Sequence, residues 1–359
     1  MDGPALLGAP APDRGRRGRG GSRRSGEIFQ ADRSRGRGLV SGLRFVDVCA
    51  GAGGLALGLE QAGFDPVLLL DNKTVACETL RLNRPGWDVL EMDLLEFDPA
   101  EHTQTYDVDL LSAGLPRLKS NATAARAETD EEKQLLEAAV LLAHGIQPRA
   151  LLIENVPGLV DADAFGPLRG FVQEELEHLG YGLRWFVLNA ADFGVPQDRK
   201  QGVLVALKRQ YFDAFHPPTP TVERHVSVGR ALLGSMGARG WTGAEEWAAQ
   251  AVGVAPTLVG GSDKRGGADL GPTGTKKAWA RMRVNGSALA NEVPGSEDGT
   301  TGMIKITDTQ AALLQSFPPD WCFSGKKTAR YRQIGHASPP PVGAALGHAV
   351  ASALTVDRA

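Results

Sequence analysis

Phe45-Val46-Asp47-Val48-Cys49-Ala50-Gly51-Ala52-Gly53-Gly54 is the stretch that decides the fold. Its first half, with Leu43 before it, is a short apolar run that reads as a buried strand. The glycines end that run just where a helical pattern begins, through Leu55, Leu57, Leu59 and Ala62, to stop at Gly63. A strand that empties into glycines at a helix start brings bare backbone and free N–H groups to one point, which suits a nucleotide or dinucleotide. Taken alone, such a turn also serves simply to pack a helix onto its strand.

Outward from that turn the same alternation repeats. Pro66 to Leu70 is a second apolar strand closed by Asp71 and Asn72, and Ala76 to Asn83 reads as a helix closed by Pro85-Gly86. Val108 to Ser112 and Ala150 to Glu154 are strand-like, with helical patterns over 130–145 and 165–180. Residues 181–188 and 202–207 read as a closing hairpin. Apolar strands alternating with helices predict an α/β fold with a doubly wound, Rossmann-like sheet. After Lys208 the chain turns rich in Gly, Pro, Thr and charge, with little periodicity, and predicts a second, smaller, loop-rich domain. Helical patterning returns near Thr307, and a last helix to about Leu354 follows Pro339-Pro340-Pro341.

The acids beyond the turn sharpen its chemistry. Asp71, at the end of the second strand, stands where a carboxylate either accepts both hydroxyls of a ribose or merely caps the next helix. Asp93, after the third strand, is placed to receive an adenine amino group. The phosphate-cradling pattern G-x-x-x-x-G-K-[ST] does not occur. The cofactor expected is therefore a nucleoside without a demanding phosphate, such as S-adenosylmethionine.

Composition limits the remaining classes. The 359 residues, 42% of them hydrophobic, suffice for one large domain and a satellite. No apolar run nears the roughly 18 residues that span a bilayer, and no apolar segment marks a secretory signal. Cys49, Cys77 and Cys322 are odd in number and lack metal-ligand spacing, so no metal site is expected and the thiols read as reduced, in the cytoplasm. Residues 1–42 hold nine arginines against four acids, a net charge of +5 that leaves −8 to the rest of a chain totalling −3. This Arg- and Gly-rich leader is too poor in hydrophobics to make a core; it is expected to be disordered, either a plain extension or a loose tether for nucleic acid.

Taken in series, the motifs resemble those of the DNA cytosine-5 methyltransferases. Phe45 to Gly54 is similar to the family's cofactor motif, Ile153-Glu154-Asn155-Val156 to its Glu-Asn-Val motif, and Gln197-Asp198-Arg199 to its Gln-x-Arg-x-Arg motif. Arg332-Gln333-Ile334-Gly335 with the three prolines is similar to its last cofactor motif. The resemblance runs from about Leu43 to Leu354. It implies that Phe45, Gly51, Gly53, Gly54, Asp71, Asp93, Pro116 and His336 hold S-adenosylmethionine, and that Glu154 and Arg199 hold a cytosine flipped out of duplex DNA. In the family a cysteine thiolate in a Pro-Cys loop attacks C6, and C5 then takes the methyl group.

Here that loop reads Gly114-Leu115-Pro116-Arg117, so an arginine stands at the nucleophile position. A guanidinium stays protonated and cannot add to C6. Gln201 stands where the second arginine of Gln-x-Arg-x-Arg is expected, His336 replaces an asparagine, and Lys119, Asn121 and Arg126 alter the loop. The family activity is thus one reading. A catalytically inactive homologue that shields DNA sites or partners an active methyltransferase is another, and a methyltransferase acting on RNA or away from C5 a third. A Rossmann oxidoreductase is opposed by the Glu154 and Gln197 motifs.

The resulting division is a leader over 1–42, a cofactor-binding catalytic domain over 43–208, a target-recognition domain over 209–306, and a segment over 307–359 packing back on the catalytic domain. In the third part, Lys264, Arg265, Lys276, Lys277 and Arg281 read either as contacts to DNA phosphates and guanine edges or as solvated loop charges. The expected partners are duplex DNA and an active methyltransferase or restriction partner, around a cytoplasmic, nucleoid-associated monomer with no membrane contact.

Overall fold

The structure, a computed structural model, describes residues 42–119, 126–261 and 267–355. Residues 1–41 of the leader, Asn121, Lys264 and Arg265 lie outside the described residues. Strand β1 (Leu43–Val48), helix α1 (Gly54–Gln61), strand β2 (Phe64–Asp71), helix α2 (Thr74–Asn83) and strand β3 (Val89–Glu91) make the first half of the sheet. Strand β4 (Leu110–Gly114), helix α3 (Arg126–Ile146), strand β5 (Ala150–Asn155) and helices α4 (Gly158–Asp161) and α5 (Gly166–His178) continue it. Strands β6 (Tyr181–Asn189), β7 (Gln197–Asp198) and β8 (Lys200–Lys208) follow, then helix α6 (Arg209–Phe212).

Seven strands form one sheet in the order β3-β2-β1-β4-β5-β8-β6. The first five are parallel, and the β6–β8 hairpin closes the far edge antiparallel. Pro66 has no N–H to give, and the β1–β2 register slips where it faces Phe45. Alternate residues serve opposite faces: Phe45, Leu110 and Leu152 enter one core, and Val46, Leu111 and Ile153 the other. Both faces are therefore buried, which accounts for strands that are apolar throughout.

Beyond α6 the chain is more helical than its composition suggests. Helices α7 (Val228–Met236), α8 (Ala244–Gln250) and α9 (Thr273–Arg281) stand there, with the short strand β9 (Ala255–Pro256) beside β7. Val228, Leu232 and Met236 are buried at a spacing of four, and Trp247 and Trp279 anchor the other two helices. Each helix is too short, and too closely bounded by glycines, to announce its period in the sequence. These side chains join the same core as Phe45.

Helix α10 (Asp308–Leu314) starts at a capping box in which Thr307 and Gln310 bond each other's backbone N–H groups. Helices α11 (Lys327–His336) and α12 (Pro340–Thr355) complete the described residues. Helix α12 lies on α1 so closely that a Cβ at Gly343 would come within 2.9 Å of the Leu55 carbonyl oxygen. Among the described residues no helix is long and apolar enough to cross a membrane.

Candidate functional site

The strand order reverses between β1 and β4, and ligands of open α/β sheets sit at the carboxyl ends of the strands at such a point. That edge gathers the Cys49–Gly54 turn, Asp71 at the end of β2, Gly114 at the end of β4, and Glu154 and Asn155 at the end of β5. The turn needs its glycines. Gly51 and Gly53 have φ of 55° and 81°, and a Cβ on Gly53 would lie 2.6 Å from Leu80 Cδ2. A Cβ on Gly51 would instead meet no protein atom within 4 Å, so bare backbone faces open space there.

Asp71 shapes this turn. Its Oδ2 accepts the Gly51 N–H at 2.8 Å and its Oδ1 the Lys73 N–H at 2.9 Å. Burial pushes its pKa up, while those two N–H groups pull it down. Asp93 accepts from Leu95 N–H and from Asn72 Nδ2, both at 3.0 Å, and stays half-buried. Ionised carboxylates keep further lone pairs beyond these bonds. Two carboxylates beside the half-buried Gly51 backbone are an acceptor set that fits the hydroxyl and amino groups of a nucleoside. Gly54 opens α1 beneath it. Phe45 is placed differently: it is fully buried, edge-on to Phe64, in the core rather than in the cleft.

Two further residues stand at this end without a cofactor role assigned by the motifs. Cys49, at φ 54°, lies within the field of Asp71, Asp47 and Asp93, and burial first, then those acids, push its thiol pKa far up. Asp47 is wholly buried; its Oδ1 accepts the Ser112 hydroxyl at 2.6 Å and its Oδ2 has no partner. Burial raises its pKa to about 7, and Asp71 adds to the shift. Only its position within an apolar strand could have flagged it.

The other end of the cleft is built around the Pro116–Arg117 loop. Gly114 faces Glu154 across the β4–β5 pair, and Asn155, next in line, ties the loop down. Its Nδ2 donates to the Pro116 carbonyl at 3.1 Å, and its Oδ1 accepts the Leu118 N–H at 3.0 Å. Pro116 is exposed and Arg117 half-buried. Glu154 is buried with Oε1 unpartnered.

Arg199 is wholly buried and largely committed to backbone. Its Nη1 donates to the Leu258 and Gly335 carbonyls at 3.0 Å each, its Nη2 to that of His336 at 3.3 Å, and Nε has no partner. Burial, then Arg117, lower its pKa to about 9, and Glu154 opposes them. The His336 ring touches the Gly261 carbonyl at 3.1 Å. Lost hydration, then Lys73, and further on Arg117 and Arg199 hold that imidazole below its usual range. Gln201 donates to Ser338 Oγ at 2.9 Å, leaving its own Oε1 buried and unpartnered. Gln197 and Gln315 link the same segments through a 2.7 Å bond.

The family model for C-5 cytosine-specific DNA methylases matches residues 43–352. The chain belongs to that family. Type II methyltransferase M.NaeI of Lentzea aerocolonigenes is 42% identical over 322 residues, covering 89% of this chain and 77% of the relative. Type II methyltransferase M.NgoMIV of Neisseria gonorrhoeae is 40% identical over 319 residues, covering 87% and 98%. Among solved structures, the S. pombe Dnmt2 methyltransferase superposes with a TM-score of 0.57 at 17% identity, over 85% of this chain and 96% of that one, which bears on the fold alone.

In this member of the family no thiol stands on the Pro116 loop. Cys77 is buried in α2 with its pKa raised to about 11 by burial and then Asp71, and Cys322 is exposed beside Asp320. Of the outer cations, Lys276 is paired with Asp269 at 2.8 Å. Lys277 and Arg281 are exposed and four apart on α9, opposite the buried Trp279, so one helix face presents both. No group of three or more His, Cys, Asp or Glu side chains suited to a metal occurs among the described residues.

Proposed function

We propose that this methylase-family chain binds S-adenosylmethionine and duplex DNA but does not add a nucleophile to cytosine C6. The observation that carries the reading is Arg117, between Pro116 and Leu118, whose backbone Asn155 bonds, on the proline-led loop where the family places its thiolate. When bound, S-adenosylmethionine supplies an activated methyl group. Asp71, Asp93 and the Gly51 backbone would hold its nucleoside, and Glu154, with a free Oε1, would accept the amino group of an extrahelical base. Without the covalent adduct, C5 of cytosine is too weak a nucleophile to take that methyl group. The pushed-up Cys49 thiol, in a field of carboxylates, offers no substitute.

On this reading 209–306 is the DNA-facing part, with Lys277 and Arg281 contacting phosphates, and the protein shields sites or accompanies an active methyltransferase or a restriction partner. Tritium transfer from labelled S-adenosylmethionine to mixed-sequence duplex is the test, run beside separate binding measurements for cofactor and DNA. Binding without label supports the reading. Label in the DNA overturns it.

A further inference from the structure

The loop position that lost its nucleophile has the makings of an anion site. Asn155 fixes the backbone on both sides of Arg117, through Pro116 and Leu118, so the guanidinium projects from an anchored point. It is half-buried and makes no hydrogen bond or ion pair among the described residues. Two residues on, Lys119 bonds Glu132, which takes its Nζ at 2.8 Å and its N–H at 3.1 Å.

Arg117 shares its field with other cations. Arg117 acts on Arg199 and on the His336 ring as a repelling charge, and Lys73 acts on that ring in the same sense. Glu154 is the acid that opposes them at Arg199. Arg117 and Arg199 are two guanidiniums close enough to repel each other, in a partly desolvated place where charge is felt more strongly than in water. A neutral base edge would satisfy N–H groups there but not the charge. An anion does both, and a guanidinium fork matches two phosphate oxygens.

We propose that Arg117 is a phosphate-binding residue that grips a phosphodiester of the DNA strand entering the cleft. The proposal rests on the duplex-binding reading above. It turns the nucleophile loop from a site of bond formation into an electrostatic clamp. A free phosphate or nucleotide carries the same chemistry, and the experiment has to separate the two sources.

Duplex affinity is measured by fluorescence anisotropy over a salt series for the unaltered protein, Arg117→Gln and Arg117→Lys. Each neutralised phosphate contributes a slope of about 0.9 in the log–log plot, so Arg117→Gln should lower the slope by about 1 and Arg117→Lys should largely keep it. Thermal melts with inorganic phosphate alone form the second arm, and they also report whether each variant is folded. An unchanged slope in folded Arg117→Gln overturns the clamp while leaving duplex binding intact. Absence of duplex binding by the unaltered protein overturns both. Stabilisation by inorganic phosphate that Arg117→Gln abolishes, with no slope change, assigns the site to a free phosphate and overturns the phosphodiester.

Discussion

Arg199 donates through Nη1 to the carbonyl of Gly335 at 3.0 Å, joining two motifs 136 residues apart in the chain. The same guanidinium reaches Leu258 and His336, so the entry to β8, the segment after β9 and the end of α11 meet on one side chain. Removing it leaves buried carbonyls without donors, at a cost of about 1–3 kcal/mol each where the penalty is fully felt. Arg199→Met should therefore lower the urea midpoint markedly, and Arg199→Lys should recover only part of the loss, because an ammonium cannot fork. A midpoint that does not move in either variant would show the three contacts to be idle.

Asp71 links cofactor recognition to the shape of the turn. The carboxylate that would take ribose hydroxyls also holds Gly51 N–H, the backbone facing the open side of the cleft. Hydrogen bonds to a charged group are worth about 1.5–3 kcal/mol, so Asp71→Ala should weaken S-adenosylmethionine binding roughly 10- to 100-fold. Calorimetry decides it, and equal affinity in the variant removes Asp71 from the site.

Most of the sheet could be read from the sequence because its strands are apolar on both faces and glycines punctuate them. Asp71 stands out in the sequence as a strand-end carboxylate, with helix capping as its other reading, and Glu154 through its likeness to the Glu-Asn-Val motif. What escaped depends on contacts that no local pattern encodes. Asn155 belongs to a local motif, yet its hold on Pro116 and Leu118 spans 39 and 37 residues. Phe45 shares a motif with the cofactor turn but points into the core, because alternate strand residues serve opposite faces. The helices after α6 hid behind their glycines, and Trp279 on α9 is fully buried despite a polar neighbourhood in sequence.

Asp47 gives the fold a pH dependence with a definite sign. Its folded pKa is raised from 3.8 to about 7, so between those values the folded protein keeps a proton that the unfolded chain has lost. The stabilising contribution is complete below pH 4 and is lost as pH rises toward 7, at about 1.4 kcal/mol for each unit crossed. Asp47→Asn keeps an acceptor for Ser112 and cannot ionise. Its melting temperature should gain on that of the unaltered protein steadily from pH 4 to 7 and then level off. A gap that stays constant across that range would mean that Asp47 is ionised in the fold throughout.

Restoring a thiol at position 117 tests how much of the pocket beyond it has changed. A cysteine there would sit beside Arg199, whose charge favours the thiolate, and Glu154 remains in place with Oε1 free. Gln201 is the difficulty. The family's second arginine is replaced by an amide already bonded to Ser338, and a neutral group cannot supply the positive charge that would hold the base. Arg117→Cys alone should therefore leave tritium transfer to duplex DNA at background, and Arg117→Cys with Gln201→Arg should raise it. Strong transfer by the single variant would place the entire loss of chemistry on residue 117 and make Gln201 a bystander.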